Sequence, residues 1–352
     1  MQKFKKYLRE QNIEFSAKRY FIDAMGAMAQ GLFASLLIGT ILKTLGEQIG
    51  WNALVQVGAF AQKMVGPAIA VAIGYALKAS PLVLFSLVAV GFSGNELGGA
   101  GGPLAVYVIA IIACECGKLV SKRTKVDILV TPAVTTLVGV LLSMLIAPYI
   151  GKGASYVGRL IMWATELQPF FMGILVSVLV GIALTLPISS AAICAALSLT
   201  GLAGGAAVAG CCAQMVGFAV MSFRENRWGG LVSQGIGTSM LQMPNIIKNP
   251  RVWIPPTLAS AITGPMATCL FRMQNNGPAV ASGMGTCGFV GQIGVYTGWV
   301  NDVAAGTKTA VTAWDWIGML LICFVLPAIL SWGFCEIERK LGWIKEGDLK
   351  LN

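Results

Sequence analysis

RMQNNGPAVASGMGTCGFVGQIG, residues 272–294, carries a single charge, Arg272, together with six glycines, paired amides at Asn275 and Asn276, and a further amide at Gln292. The stretch is too polar and too glycine-rich for an ordinary membrane span, and too apolar for a surface loop. The sequence around it reads as membrane-embedded. Non-helical backbone at membrane depth persists only where protein buries it or where it lines a wet cavity. Interrupted segments of this kind build solute sites near the midplane of transporters.

Composition supports that setting. Of 352 residues, 56% are apolar and only 11% charged, and the mean hydropathy is +0.75. A soluble domain carries about 25% charged residues. Residues 24–42, 128–151, 252–271 and 316–335 hold no charge, and each is close to the ~20 residues that cross hydrocarbon. Residues 167–223 contain no Asp, Glu, Lys or Arg, with Pro187 and the glycines from Gly201 to Gly205 as punctuation. The net charge of +10 does not point to nucleic acid, because the cations gather at span ends as the positive-inside rule requires. No cleavable leader is expected, since a charged stretch of about 20 residues precedes the first apolar run.

The expected fold is an all-α polytopic membrane protein of about ten transmembrane helices with two re-entrant or broken hairpin segments. Spans are placed at 22–42, 53–77, 81–92, 103–117, 127–150, 168–186, 189–221, 231–246, 255–271 and 315–335. Residues 1–21 form a basic N-terminal segment, with Lys3, Lys5, Lys6, Arg9, Lys18 and Arg19 interleaved with Phe4, Tyr7 and Ile13. It is either an amphipathic helix on the cytoplasmic leaflet or a solvated tail. Residues 22–335 form the transport domain, and 336–352 a cytoplasmic tail. Basic clusters at Lys118/Lys122/Arg123/Lys125, Arg224/Arg227 and Lys248/Arg251 are placed in the cytoplasm with both termini. The clusters at 118–125 and 224–227 then need an even number of crossings between them, yet three runs lie there. One run is re-entrant, the amphipathic 153–167 stretch hides part of a crossing, or one cluster faces outward. KVDILVTPAVTT (125–136) faintly echoes NPRVWIPPTLAS (249–260), as in a transporter built from two related halves or by chance.

A second glycine-rich stretch, GFSGNELGGAGGP at 91–103, carries Asn95 and Glu96. It reads as the turn of a hairpin over 81–117 with these two residues at its tip, or as an aqueous loop between full helices. An ionisable group at membrane depth costs at least ~2.5–3.5 kcal/mol, which makes it a functional candidate. Asn275, Asn276, Gly277 and Gln292 are its natural partners. A carboxylate with several amides suits hydroxyl-rich ligands, whose hydroxyls both give and accept hydrogen bonds. The competing reading of the glycines is close helix packing. Arg272 anchors the segment, pairs with Glu96, or marks the membrane boundary. Ser189 and Ser190, after the Pro187 break, face the cavity or cap the next helix.

No catalytic constellation is visible. There is no histidine, hence no Ser-His or Cys-His pair. The nine cysteines sit mostly in apolar runs, where they act as small hydrophobes. No metal and no cofactor are expected.

MQNNGPAVASGMGTCGFVGQ (273–292), GNELGGAGGPLA (94–105), KVDILVTPAVTT and NPRVWIPP (249–256) together resemble the membrane-embedded C component, enzyme IIC, of the bacterial phosphoenolpyruvate-dependent sugar phosphotransferase system. More narrowly they are similar to its type-2, perfringolysin-regulator-like branch. The resemblance implies a homodimer in the plasma membrane, re-entrant hairpins cupping one sugar, and separate cytoplasmic B and A components that supply phosphate. Some sugar-carrying branches place a histidine beside a glutamate at the sugar. This chain has no histidine, which leaves Glu96 as the carried-over acidic candidate. The alternatives are a phosphorylation-independent transporter of a small organic solute on the same fold, and a ligand-sensing membrane regulator.

Overall fold

The computed structural model describes Tyr7, Leu8 and residues 10–351. Lys3, Phe4, Lys5, Lys6 and Arg9 of the expected amphipathic segment lie outside the described residues. The described chain is predominantly helical, and among its residues the only β pairing is one isolated bridge between Gly201 and Asn275. It divides into two compact units, Met1–Gly153 and Ala154–Asn352.

The first unit opens with α1 (Arg19–Ile49), then α2 (Asn52–Lys63) and α3 (Val65–Ala76), which meet at a 51° bend. Met64 breaks the helix between them. The 40-residue apolar stretch Pro81–Val120 is not one rod. Its arms α4 (Pro81–Gly98) and α5 (Gly102–Val120) fold back on each other, with Gly94 against Val106 and Gly102 against Asn95. The turn is Gly99–Gly101. Gly99 has φ +51° and ψ −124°, a backbone that only glycine adopts without strain. At 1.5 Å per residue the arms are about 27 and 28 Å long, longer than the two short runs expected and close to the ~30 Å of hydrocarbon.

Packing in this unit relies on missing side chains. A Cβ on Gly66 would lie 2.1 Å from the Gly91 carbonyl oxygen, and one on Gly91 would lie 2.2 Å from that of Gly66. Two backbones in direct contact maximise dispersion where lipid removes the hydrophobic drive. The end of α5 is fastened by Lys118, 1% exposed. Its Nζ reaches Glu115 at 2.8 Å and the carbonyls of Asn12 at 3.0 Å and Leu77 at 3.1 Å. A buried ammonium is tolerable only with such a full set of acceptors. Helix α6 (Asp127–Thr165) runs for 39 residues, with Pro132 and Pro148 inside it. The 153–167 stretch is therefore largely its continuation.

In the second unit α7 (Pro169–Thr185), α9 (Gly201–Met221), α12 (Ile254–Pro265) and α15 (Ala313–Lys340) form the frame. Between α7 and α9 lies α8 (Ser190–Ala196), so the expected 189–221 span is broken at 197–200. The remaining pieces are α10 (Phe223–Val232), α11 (Met243–Lys248), α13 (Ala279–Ser282) and α14 (Val290–Ala304). Among the described residues five helical stretches are long and apolar enough to cross a membrane, with the folded pair α4–α5 taken as one, and six when the bent pair α2–α3 counts as one. The protein is an all-α, multi-pass membrane protein.

Candidate functional site

The segment beginning at Arg272 leaves helical geometry at once. Arg272 has φ +47°, and residues 273–278 run extended or irregular. Gly201 and Asn275 exchange both backbone hydrogen bonds at 2.9 Å, which satisfies the freed peptide groups at the mouth of α9. The chain then makes α13, a turn through Gly283–Thr286, and α14, which carries it back.

Glycines set the path. A Cβ on Gly205 would stand 1.8 Å from the Met273 carbonyl oxygen, and one on Gly285 would stand 2.6 Å from the Cβ of Cys211. From the other side Gly294 and Gly298 of α14 receive Gly277 and Asn276. The close-packing account of these glycines therefore holds. It does not exclude a site, because what is packed is a polar, non-helical backbone.

The two adjacent asparagines part company. Asn275 is 0% exposed. Its Nδ2 donates to Ser282 Oγ at 2.7 Å, its Oδ1 accepts from the Gly277 N–H at 3.2 Å, and Ser282 Oγ donates onward to the Leu199 carbonyl at 2.6 Å. Asn276 faces a cavity of about 410 Å³ lined by Arg272, Gln274, Asn276, Trp299, Asp302, Thr307 and Lys308. Its Nδ2 donates to Asp302 Oδ2 at 2.8 Å and to Gln274 Oε1 at 3.0 Å. Lys308 is held by Asp315 at 2.6 Å. Arg272 has no hydrogen-bond or ion-pair partner among the described residues. The wall thus presents a guanidinium, an ammonium, a carboxylate, two amides and an indole.

Ser189 caps α8, accepting from the Ala192 N–H at 3.2 Å, and Ser190 donates to the Gly283 carbonyl at 2.7 Å. Both hydroxyls hold the segment in place. Gln292 is 7% exposed and donates to Cys212 Sγ at 3.2 Å, while its Oε1 has no partner. Asn95 and Glu96 belong to the first unit. They occupy the last turn of α4, not the tip, which is Gly99–Gly101. Asn95 packs on Gly66 and Gly102, and Glu96 is exposed.

A second hairpin, unread as such in the sequence, spans Phe223–Lys248. Helix α10 kinks at Arg227 (φ +51°, ψ −150°), so that Gln234 returns beside Ser222, to which it donates at 2.9 Å. The chain turns through Gly235–Thr238 and descends through α11. Its roots lie at the Arg339 end of α15, where Glu225 meets Arg339 at 2.7 Å and Asn249 donates to the Trp343 carbonyl at 2.9 Å. The segment 272–304, itself a hairpin of α13 and α14, is rooted at the other end. There the Phe271 ring lies 4.9 Å from that of Trp314, and Trp299 lies 5.4 Å from Trp316. The 28 residues of α15 separate these ends by about 42 Å. The hairpins are therefore rooted at opposite ends of α15, and they meet: Thr286 Oγ1 donates to the Gly235 carbonyl. One signal could have found the second hairpin, because GIGT at 235–238 repeats as GMGT at 283–286.

Against known proteins, the family model described as Phosphotransferase system, EIIC matches residues 22–351. No curated protein and no solved structure matches the chain.

Proposed function

The chain belongs to the phosphotransferase system EIIC family, and from that membership we propose that it carries a sugar or a related small polar solute across the bacterial plasma membrane through its second unit. The protein is a membrane component of a sugar phosphotransferase system. The finer reading rests chiefly on the cavity that Asn276 and Asp302 share.

That cavity suits a hydroxylated solute. Both amide hydrogens of Asn276 are held, by Asp302 and by Gln274, so its Oδ1 is oriented as an acceptor. Asp302 accepts as well. Arg272, Lys308 and the free amide nitrogen of Gln274 donate. A sugar hydroxyl both donates and accepts, so it can use each side of this wall. The Trp299 indole, 3% exposed, backs this wall beneath Lys308, whose Nζ lies 5.7 Å from the ring centroid. Asn276, Gln274, Asp302 and Arg272 are the residues we assign to solute contact. Asn275, Ser189 and Ser190 we assign to holding the segment, and Glu96 and Asn95 to the first unit's hairpin.

The chain has no histidine, so the phosphohistidine chemistry is assigned to separate cytoplasmic B and A subunits, and the transporter to a homodimer with both termini cytoplasmic. The test is uptake into vesicles. Labelled solute should accumulate as its phosphate ester only when the donor subunits and phosphoenolpyruvate are inside. Accumulation of unmodified solute without the donor would overturn the coupled reading. Absence of any uptake or binding over a panel of sugars, polyols and sugar acids would overturn the transport reading.

A further inference from the structure

The meeting of the two GxGT turns asks for an explanation beyond packing. Each sits at the tip of a hairpin, the hairpins enter from opposite ends of α15, and a side chain of one tip bonds the backbone of the other. The same four-residue pattern has thus been placed twice, in opposite orientations, at the one point where the two insertions touch.

The tips are held in different ways. The Gly283–Thr286 tip is locked by backbone contact: a Cβ on Gly283 would lie 2.6 Å from the Ser190 carbonyl oxygen, and Gly285 is pressed against Cys211. Thr286 adds a contact to Met215 Sδ at 3.6 Å. The Gly235–Thr238 tip is held by exchangeable hydrogen bonds. Gln234 donates to Ser222 Oγ at 2.9 Å and to the Gly230 carbonyl at 2.9 Å. Gln242 donates to Gln234 Oε1 at 2.7 Å and to the Leu349 carbonyl at 3.0 Å. Ser239 and Thr185 share a bond of 2.7 Å. Beside Gly235 itself a Cβ would meet only Ala219, at 3.4 Å. Hydrogen bonds between hydroxyls and amides are replaceable by water or a solute, whereas interlocked backbones are not.

We infer that the paired GxGT tips form the gate of the solute path, closed by the bond from Thr286 to the Gly235 carbonyl, and that the Phe223–Lys248 hairpin is the half that moves. This rests on the transport reading above. Thr286 is then a positioning residue: in the closed state it sets the resting place of the moving hairpin, and it lies outside the lining of the Asn276 cavity.

Cys287 supplies the reporter. It adjoins Thr286 and is 4% exposed, whereas Cys114 is 0% exposed in α5 of the first unit and Cys323 is 0% exposed in the core of the second. The native protein in proteoliposomes is exposed to N-ethylmaleimide, and modification is read peptide by peptide in a mass spectrometer. Thr286→Val, which keeps the shape and removes the donor, should raise the Cys287 rate about fivefold to tenfold, the shift in a local opening equilibrium for one hydrogen bond lost. Cys114 and Cys323 should stay at their wild-type rates, and Thr286→Ser should restore protection. A Cys287 rate within twofold of wild type in Thr286→Val, or parallel rises at Cys114 and Cys323, overturns the gate. Hydrogen exchange on the wild-type protein gives the second reading, independent of any variant's folding. Amides of 233–242 should exchange faster than those of 279–289, and equal protection overturns the assignment of the moving half. Neither measurement requires uptake, so failure of transport and failure of the gate are told apart.

Discussion

Asn275 and Asn276 are adjacent and chemically identical, yet substitution to alanine should separate them completely. Asn275→Ala removes two buried hydrogen bonds, to Ser282 Oγ and from the Gly277 N–H. At about 0.5–1.5 kcal/mol each these amount to about 1–3 kcal/mol. The vacated space beside Gly204 and Gly294 adds about 1 kcal/mol, because glycine backbones cannot relax to fill it. The backbone bridge to Gly201 survives. The total, about 2–4 kcal/mol, lowers the thermal midpoint by roughly 5–10 °C for a cooperative unit of about 200 residues. Asn276→Ala gives up bonds to Asp302 and Gln274 at a wet cavity wall, where water replaces them, so it costs under about 1 kcal/mol. It also removes an oriented acceptor from the solute, which should weaken binding about tenfold or more. The assay is thermal unfolding of purified protein in detergent, with and without the best ligand of a sugar panel. Asn275→Ala should show a lowered midpoint with a ligand-induced rise still present. Asn276→Ala should show a normal midpoint with that rise lost. The reasoning is refuted if Asn276→Ala is the more destabilising of the two, or if Asn275→Ala leaves the midpoint within about 2 °C of wild type.

Other substitutions test other joints. Gly205→Ala drives a methyl group to within 1.8 Å of the Met273 carbonyl oxygen and should cost about 3 kcal/mol or more, read as lost expression or a lowered midpoint. Gly229→Ala, with nothing within 4 Å of the new Cβ, should instead stabilise by about 0.5–1 kcal/mol because it lies in a helix. Glu225→Gln removes the carboxylate charge that Arg339, 13% exposed, meets at 2.7 Å, while Glu336 at 4.0 Å and the Met221 carbonyl at 3.5 Å remain, and should cost about 1–3 kcal/mol. Replacing both members with apolar residues of similar volume should recover most of that loss, as measured by thermal unfolding. Arg272→Gln should leave the midpoint unchanged, since Arg272 has no partner among the described residues, while weakening solute binding severalfold by titration.

How much of this was legible depended on whether the deciding contact was local. Glycine density marked the two places where helices break, at 91–103 and 272–294, because a backbone that turns sharply or touches another backbone excludes Cβ atoms. The cap at Ser189 was legible for the same reason, being set three residues away. The division between Asn275 and Asn276 was not. It is fixed by the bridge to Gly201, some 75 positions earlier, which decides the face that each residue of an extended segment presents. Asp302 and Lys308 escaped notice because they lie beyond the glycine-rich stretch, at and after the end of α14, and enter the cavity only when that helix folds back. Part of the Phe223–Lys248 hairpin was read as a marginal span, 231–246, because that apolar run begins after Arg227 and carries no mark of the kink there. The repeated GxGT was present all along, but four residues carry little information until the two copies are found to touch.

That contact also explains how solute occupancy can govern opening. In lipid a backbone carbonyl or hydroxyl without a partner is expensive, and each one orphaned in a buried site costs about 1–3 kcal/mol. When the tips part, Thr286 Oγ1 and the Gly235 carbonyl lose each other, whereas the Gly283 carbonyl keeps Ser190 and the Gly285 carbonyl keeps the Gly291 N–H. Opening therefore exposes one donor and one acceptor a few ångströms apart. A single sugar hydroxyl satisfies both, accepting from Thr286 and donating to Gly235. A hydroxyl-rich solute should accordingly raise the Cys287 modification rate above that of the empty protein, by a factor of about 5–10 for the bond restored. A deoxy analogue lacking the hydroxyl that reaches the tips should bind at the Asn276 cavity and leave the rate unchanged. Equal acceleration by both compounds would show that the tips open without regard to what fills them, and the hydrogen-bond exchange argued here would fail even with the hairpins in place.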